Sequence, residues 1–155
     1  MAITAGSLAP EFTLQDENGL KHSLSDYRGK PLILYFYPKD DTPGCTTEAC
    51  NFRDDYSKYQ EAQVVILGLS PDTPRSHKKF KAKYDLPFTL LADEDHAVCD
   101  LYGTWGPKKF MGKSYEGVYR TTFLIDSQGY IRKVYENVKP AEHSSEVLEA
   151  LSQLT

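Results

Sequence analysis

The run Leu32-Ile33-Leu34-Tyr35-Phe36-Tyr37 passes directly into Pro38-Lys39-Asp40-Asp41-Thr42-Pro43-Gly44-Cys45, and then into an amphipathic pattern. Consecutive apolar and aromatic residues do not alternate between core and water, so they predict a strand buried on both faces. Pro38 ends it, because proline lacks the N–H that a ladder needs. Beyond the turn, Ala49, Phe52, Tyr56 and Tyr59 recur at helical spacing, which predicts a helix from about Thr46 to Glu61 with one core-facing stripe. A two-sided strand feeding a helix through a short turn points to an α/β arrangement with layers on both faces of a sheet.

The rest of the chain fits that frame. Phe12-Thr13-Leu14 and Lys21-His22-Ser23-Leu24 flank Asp16-Glu17-Asn18-Gly19, which predicts a hairpin. Val64 to Leu69 predicts a second buried strand. Asp72 or Thr73 caps the next helix, with Pro74 in its first turn, and that helix runs to about Tyr84. Thr89 to Leu91 predicts a short strand, and Asp95 to Tyr102 a short helix. A Gly- and Lys-containing loop is expected over 104–117. Val118 to Ile125 and Tyr130 to Val138 predict a second hairpin across Asp126-Ser127-Gln128-Gly129. Val147, Leu148, Leu151 and Leu154 predict a C-terminal amphipathic helix. The expected architecture is a mixed central sheet flanked by helices, in a single domain over residues 1–155.

Composition narrows the function. The chain is 40% hydrophobic and 26% charged with a net charge of -4, so bulk electrostatics point away from a nucleic-acid partner. No apolar run has membrane-spanning length. Met1 to Pro10 carry no basic segment followed by an apolar one, and the expected compartment is the cytoplasm. Three cysteines in 155 residues do not make a disulfide scaffold; in a reducing compartment they are catalytic, metal-binding or structural thiols. A zinc site is disfavoured because no second Cys/His pair stands at ligand spacing.

Cys45 falls where a buried strand hands over to a helix, the edge of an α/β sheet at which ligands bind. Unpaired N–H groups and the positive dipole end of the helix favour a thiolate there. Thr42 and Thr46 bring hydroxyls close by. Cys45 also continues the stripe of Ala49, Phe52 and Tyr56, so it is expected to point inward. From position alone, a buried structural cysteine and a reactive thiol both fit. Cys50 lies about 140° further round an ideal helix, with its Cα roughly 8.6 Å from that of Cys45. A disulfide requires less than about 7 Å, so the two cannot bridge while the helix is wound and can do so only if its first turns open.

Pro38, Thr42 and Cys45, spaced P-x-x-x-T-x-x-C and extended by Glu48, resemble the active-site motif of the peroxiredoxins. Arg120 in Arg120-Thr121-Thr122-Phe123-Leu124-Ile125-Asp126 is similar to the family's second essential segment. Thr42-Pro43-Gly44-Cys45-Thr46-Thr47-Glu48-Ala49-Cys50 resembles the peroxiredoxin Q subgroup, also called bacterioferritin comigratory protein, and the likeness runs from about Ala5 to the last helix. The resemblance implies a thioredoxin-like fold with an N-terminal β-hairpin extension. It implies reduction of hydrogen peroxide and organic hydroperoxides without metal, haem or flavin. Cys45 would be the peroxidatic cysteine and Cys50 the resolving one, joined in an intramolecular disulfide that a thioredoxin-type dithiol reduces. Arg120 would support the thiolate and bind peroxide together with Thr42 and the Gly44 and Cys45 backbone. Pro38 would cover the pocket, and Glu48 would orient Arg120. The subgroup leans toward a monomer or weak homodimer.

Other residues are given plainer roles. Cys99 is expected to be a structural thiol, and the helix Thr73 to Tyr84 offers no cysteine to compete with Cys50 as resolving partner. His22, His77, His96 and His143 are expected at the surface. Trp105, Phe110 and Met111, in the loop before Arg120, either line an apolar rim that admits alkyl hydroperoxides or pack the loop down, and the second is the expectation. Lys78, Lys79, Lys81 and Lys83 are expected on a solvated helix face. A non-enzymatic thioredoxin-fold protein, a redox sensor or a partner-binding module using the Cys45–Cys50 switch as a signal, is the alternative class. A thiol–disulfide oxidoreductase is disfavoured by the missing C-x-x-C.

Overall fold

The fold is known from a computed structural model, which describes residues 3–152. The N-terminal hairpin pairs β1 (Thr13–Gln15) with β2 (Lys21–Ser23), and a 3-10 turn at Leu24–Tyr27 follows. Then come β3 (Leu32–Phe36), α1 (Pro43–Asp54), α2 (Tyr56–Glu61), β4 (Val65–Ser70), α3 (Pro74–Tyr84), β5 (Thr89–Ala92) and α4 (Ala97–Leu101). The chain continues through β6 (Trp105–Phe110), β7 (Lys113–Val118), β8 (Thr121–Ile125), β9 (Ile131–Tyr135) and α5 (His143–Ser152).

Seven strands form one mixed sheet in the order β2-β1-β5-β4-β3-β8-β9. β3, β4 and β5 run parallel, and β8 lies antiparallel to β3 on its other side. β3 is therefore central and buried throughout, as its unbroken apolar run requires. Its residues alternate between two cores. Leu32, Leu34 and Phe36 face Phe12, Leu69, Cys99 and Tyr102. Ile33 and Tyr35, with Tyr37 just beyond the strand, face Cys45, Ala49, Phe52, Phe80 and Val147, the side covered by α1, α3 and α5. Gly68, opposite Tyr35 across the parallel pair, makes room for this: a Cβ there would come within 2.9 Å of the tyrosine ring and 2.8 Å of Leu90.

The helix expected from Thr46 to Glu61 is two helices. It starts earlier, at Pro43, and breaks at Asp55, whose φ of -93° and ψ of 4° leave the helical region. The Asp55 carboxylate accepts a 2.7 Å hydrogen bond from Ser144 Oγ, so a contact to α5 bends the stripe that the periodicity carries straight through. The expected loop over 104–117 is instead the β6–β7 hairpin, a two-stranded sheet of its own. Its Gly, Pro and Lys content hides it from strand propensity. Phe110 and Met111 are 67% and 87% exposed at its tip, so they do not pack the segment down. Trp105 does, stacked on His96 with ring centroids 3.9 Å apart.

Two expected surface histidines, His77 and His143, are fully buried. Each lies on its helix's apolar stripe, His77 with Phe80 and Tyr84, and His143 with Val147 and Leu151. That periodicity was the available signal. Of the expected solvated lysines, Lys81 pairs with buried Glu17 at 2.9 Å and Lys83 with Asp41 at 2.8 Å. Leu154 lies outside the described residues. Among those residues, no helix is long and apolar enough to cross a membrane.

Candidate active site

The site forms at the carboxyl end of β3. Pro38, half-buried, ends the strand, and the loop to Thr42 delivers the N-terminus of α1. Thr42 is the N-cap residue. Its hydroxyl donates to the Lys39 carbonyl at 2.9 Å, which leaves the hydroxyl oxygen free to accept elsewhere. Pro43 at the first helical position has no N–H to satisfy. The Thr46 N–H bonds back to the Thr42 carbonyl at 2.8 Å, so the Gly44 and Cys45 N–H groups lie ahead of the helical ladder. Cys45 is 1% exposed and points into the core, as its stripe position requires.

Arg120 comes from the start of β8. Phe36 pairs with Thr121, which sets the preceding residue at the carboxyl end of β3. The guanidinium Nη2 stands 3.2 Å from Cys45 Sγ, and Nη1 donates to Glu48 Oε1 at 2.8 Å. Glu48 lies one turn after Cys45 on the same face, and its side chain is fully buried. Burial pushes its carboxyl up to about 7, against the opposing pull of Arg120. The Arg120 side chain is held charged by Glu48 and Cys45 despite its partial burial. Gly44 is placed where any side chain would meet this guanidinium: a Cβ would sit 3.2 Å from Nη2.

Cys50 is half-buried in the same unbroken helix, and all three cysteines are free thiols. With α1 continuous from Pro43 to Asp54, helical geometry keeps the two Cα atoms roughly 8.6 Å apart, beyond disulfide reach. Cys99 belongs to the other face of the sheet, and burial together with Asp93 pushes its thiol far above the ordinary range.

The structure thus brings Pro38, Thr42, Gly44, Cys45, Glu48 and Arg120 to one end of the sheet and leaves Cys50 outside the immediate contacts of Cys45. Several polar groups near it escape sequence reading. The Tyr35 hydroxyl is buried beneath the site and, with Glu48 Oε2, has no hydrogen-bond partner among the described residues. Burial and the Glu48 carboxylate push this phenol well above its ordinary value. Lys108 of β6 donates to the Val118 carbonyl at 2.9 Å, and its amine is lowered by burial and by Arg120. Asp40 and His77 form a buried pair beneath the loop. A buried thiol, a fixed guanidinium 3.2 Å from it and free backbone donors at a helix start suit attack by sulfur on a small electrophile that acquires negative charge.

Comparison with known proteins agrees with this chemistry. The model of the AhpC/TSA family matches residues 5–134. Peroxiredoxin Bcp of Bacillus subtilis is 46% identical over 155 residues, covering 100% of this chain and 99% of the relative. Peroxiredoxin Bcp of Escherichia coli is 45% identical over 151 residues, 97% of each chain. Among solved structures, the bacterioferritin comigratory protein of Xanthomonas campestris, studied for its alkyl peroxide reduction activity, superposes with a TM-score of 0.87 at 37% identity, covering 92% of this chain and 90% of that one. BcpB of Mycobacterium tuberculosis gives 0.88 at 31% identity over 99% of both chains. With likeness at this level along its whole length, and a cysteine and an arginine from distant segments meeting at one sheet edge, the chain belongs to the AhpC/TSA family, among its Bcp peroxiredoxins.

Proposed function

We propose that the chain reduces hydrogen peroxide and organic hydroperoxides at Cys45, resolves the product through Cys50, and is recycled by a thioredoxin-type dithiol. As a peroxiredoxin it is a thiol-dependent peroxidase, and the alkyl peroxide reduction studied in the Xanthomonas campestris relative supports the organic substrate class. The observation that carries the reading is the 3.2 Å approach of Arg120 Nη2 to the Cys45 sulfur at the start of α1.

The chemistry runs in three steps. The Cys45 thiolate attacks the terminal peroxide oxygen. The O–O bond breaks, its electron pair leaves on the second oxygen, and that oxygen takes from solvent the proton that the thiol released on ionising, departing as water or an alcohol. Cys45 is left as a sulfenic acid. Arg120 and the Gly44 and Cys45 N–H groups stabilise the charge that develops on the peroxide oxygens. The Thr42 oxygen, its own proton committed to Lys39, accepts a hydrogen bond from the peroxide O–H and so orients it for attack. Pro38 covers the pocket against water, and Glu48 fixes the guanidinium. In the second step the first turns of α1 open, the Cys50 sulfur attacks the sulfenic sulfur, and water leaves as the disulfide forms. In the third a dithiol attacks that disulfide, passes through a mixed disulfide and departs oxidised, returning both cysteines as thiols. The chain acts in the cytoplasm as a monomer or weak homodimer.

Peroxide-dependent NADPH oxidation with thioredoxin and its reductase tests this. Wild type turns over. Cys45→Ser does not, and Cys50→Ser forms sulfenic acid in one turnover but recycles poorly. Full activity in Cys45→Ser would falsify the assignment.

A further inference from the structure

The loop that carries Thr42 is held from below by groups that the peroxidase steps leave unused. Asp40 is 7% exposed, and both of its carboxylate oxygens are engaged. Oδ1 accepts from the Tyr37 hydroxyl at 2.5 Å, and Oδ2 accepts from Ser76 Oγ at 2.8 Å and faces His77 Nδ1 at 2.7 Å. The Asp40 N–H donates to Asp72 Oδ2 at 2.8 Å, an oxygen that also accepts from Ser70 Oγ. The next residue is also tied to α3. Asp41 takes a positive φ of 58°, uncommon outside glycine, while its carboxylate accepts from Lys83 Nζ at 2.8 Å and Tyr84 Oη at 2.9 Å. One helix therefore holds two successive residues of the loop, immediately before Thr42.

The protonation of His77 follows from its partners. Nε2 faces the Leu91 carbonyl at 2.8 Å, and a carbonyl only accepts. Nδ1 faces a carboxylate, which when ionised also only accepts. Both nitrogens therefore carry protons, and the fully buried ring is an imidazolium paired with Asp40. Asp40, the Leu91 carbonyl and Asp72 raise its affinity for the proton against the cost of burial. The groups facing the ring from other elements are Asp40 in the loop, Tyr37 at the end of β3, Asp72 before α3 and the Leu91 carbonyl of β5. The donor atoms of Asp40, Asp72 and His77 lie within 4.8 Å of one another, but both imidazole nitrogens are committed as donors, so the cluster offers a metal no histidine ligand.

We propose that Asp40 and His77 are positioning residues for the peroxidase reaction: their buried ion pair fixes the Lys39-to-Thr42 loop so that the Thr42 oxygen meets the peroxide as an acceptor. The proposal rests on the Cys45 peroxidase reading. It places the effect on the peroxide step, not on the formation of the thiolate. An imidazolium raised in the fold keeps its pair at low pH and loses it as pH rises through the folded value. Peroxide reactivity per thiolate therefore declines on the alkaline side, where the thiolate itself only becomes more abundant.

The test measures two rate constants for Cys45 in each folded variant across about pH 6 to 9.5, one with hydrogen peroxide and one with iodoacetamide, which needs only the thiolate. Their ratio cancels thiolate abundance. In wild type the ratio falls as pH rises. In His77→Gln and Asp40→Asn it is at least about 10-fold lower at neutral pH and flat, as a misplaced acceptor requires. Ser76→Ala, which removes one donor to Asp40 and keeps the imidazolium, lowers the ratio roughly 2- to 3-fold and retains the alkaline decline. A role in folding alone would lower unfolding midpoints and leave the ratio and its pH profile unmoved. A flat wild-type ratio, or a wild-type ratio in folded His77→Gln, overturns the proposal. Should His77→Gln fail to fold, the wild-type profile and Ser76→Ala decide. Peroxide consumption by Cys45→Ser would instead remove the underlying peroxidase reading, a failure distinct from that of the positioning role.

Discussion

Arg120 divides its guanidinium between two residues of one helix turn, with Nη1 2.8 Å from Glu48 Oε1 and Nη2 3.2 Å from Cys45 Sγ. The carboxylate fixes the plane of the guanidinium, and the fixed plane sets the second nitrogen against sulfur. Arg120→Met is expected to slow the peroxide reaction by about 10²- to 10³-fold, the usual cost of losing one preorganised donor. Arg120→Lys is expected to recover little of that loss, because a point charge cannot span both partners. Stopped-flow rates with hydrogen peroxide check both variants, and a rate for Arg120→Lys within a few-fold of wild type would contradict the shared-fork geometry.

Glu48 makes the wound helix pH-sensitive in an unusual direction. Its carboxyl rises to about 7 in the fold from an ordinary 4.5, so the folded state binds the proton more tightly than the open chain does. Stability is highest below about pH 4.5 and falls as pH rises to about 7, by of the order of 3 kcal/mol at most. Glu48→Gln lacks this dependence. The difference in urea-unfolding free energy between the two reduced proteins should change across that window and level off above it. A constant difference would mean that Arg120 fully offsets the burial cost.

Gly44→Ala separates helix stability from reactivity. The backbone at Gly44 is helical, so Ala there should stabilise α1 by about 0.5 to 1 kcal/mol. The new Cβ would lie 3.2 Å from Arg120 Nη2 and push the guanidinium off the sulfur. A loss of ~1 kcal/mol in that contact corresponds to a roughly fivefold slower peroxide reaction. Thermal melting and single-turnover rates should therefore move in opposite senses.

Cys99 should be silent in the chemistry. It is fully buried, and its thiol is pushed far up by burial beside Asp93. Alkylation of the native reduced protein followed by peptide mass analysis should label Cys45 and Cys50 and spare Cys99 until the chain unfolds. Cys99→Ala should cost about 1 kcal/mol of stability and leave peroxidase turnover intact.

Tyr35→Phe should stabilise the protein. The phenol oxygen is buried without a partner among the described residues, and an unmade buried hydrogen bond costs about 1–3 kcal/mol. Phe keeps the contacts with Phe52 and Phe88. A rise in the urea midpoint at unchanged slope is expected. A fall would reveal a partner for the hydroxyl, such as a buried water bridging to Glu48.

Much of the site was legible because its residues are close in sequence. The strand from Leu32, the turn, the helix start at Cys45 and the Cys45–Cys50 spacing follow from apolar runs and helical geometry, and the P-x-x-x-T-x-x-C motif supplied the family. What went unread in the periodicity were the polar residues that lie on apolar stripes. His77 and His143 look like surface residues singly, yet their helices turn them inward, to Asp40 in one case and to Thr122 and Glu146 in the other. The β6–β7 hairpin was missed for a related reason: its exposed strands carry lysines and glycines instead of an apolar alternation.

The sequence by itself determined the order of elements apart from the break at Asp55 and the β6–β7 hairpin, the two-sided central strand, the thiol at a helix start and the second cysteine that a wound helix keeps out of reach. Local geometry suffices for each of these. Only the tertiary structure decided that Arg120 reaches Cys45 across 75 residues, because that meeting depends on the register of β8 against β3. It likewise decided that Glu48 is buried with one oxygen unpaired among the described residues and that α3 grips the loop before Thr42. Such pairings depend on which strands become neighbours and on how much water the packing excludes, and both are properties of the assembled sheet and helices.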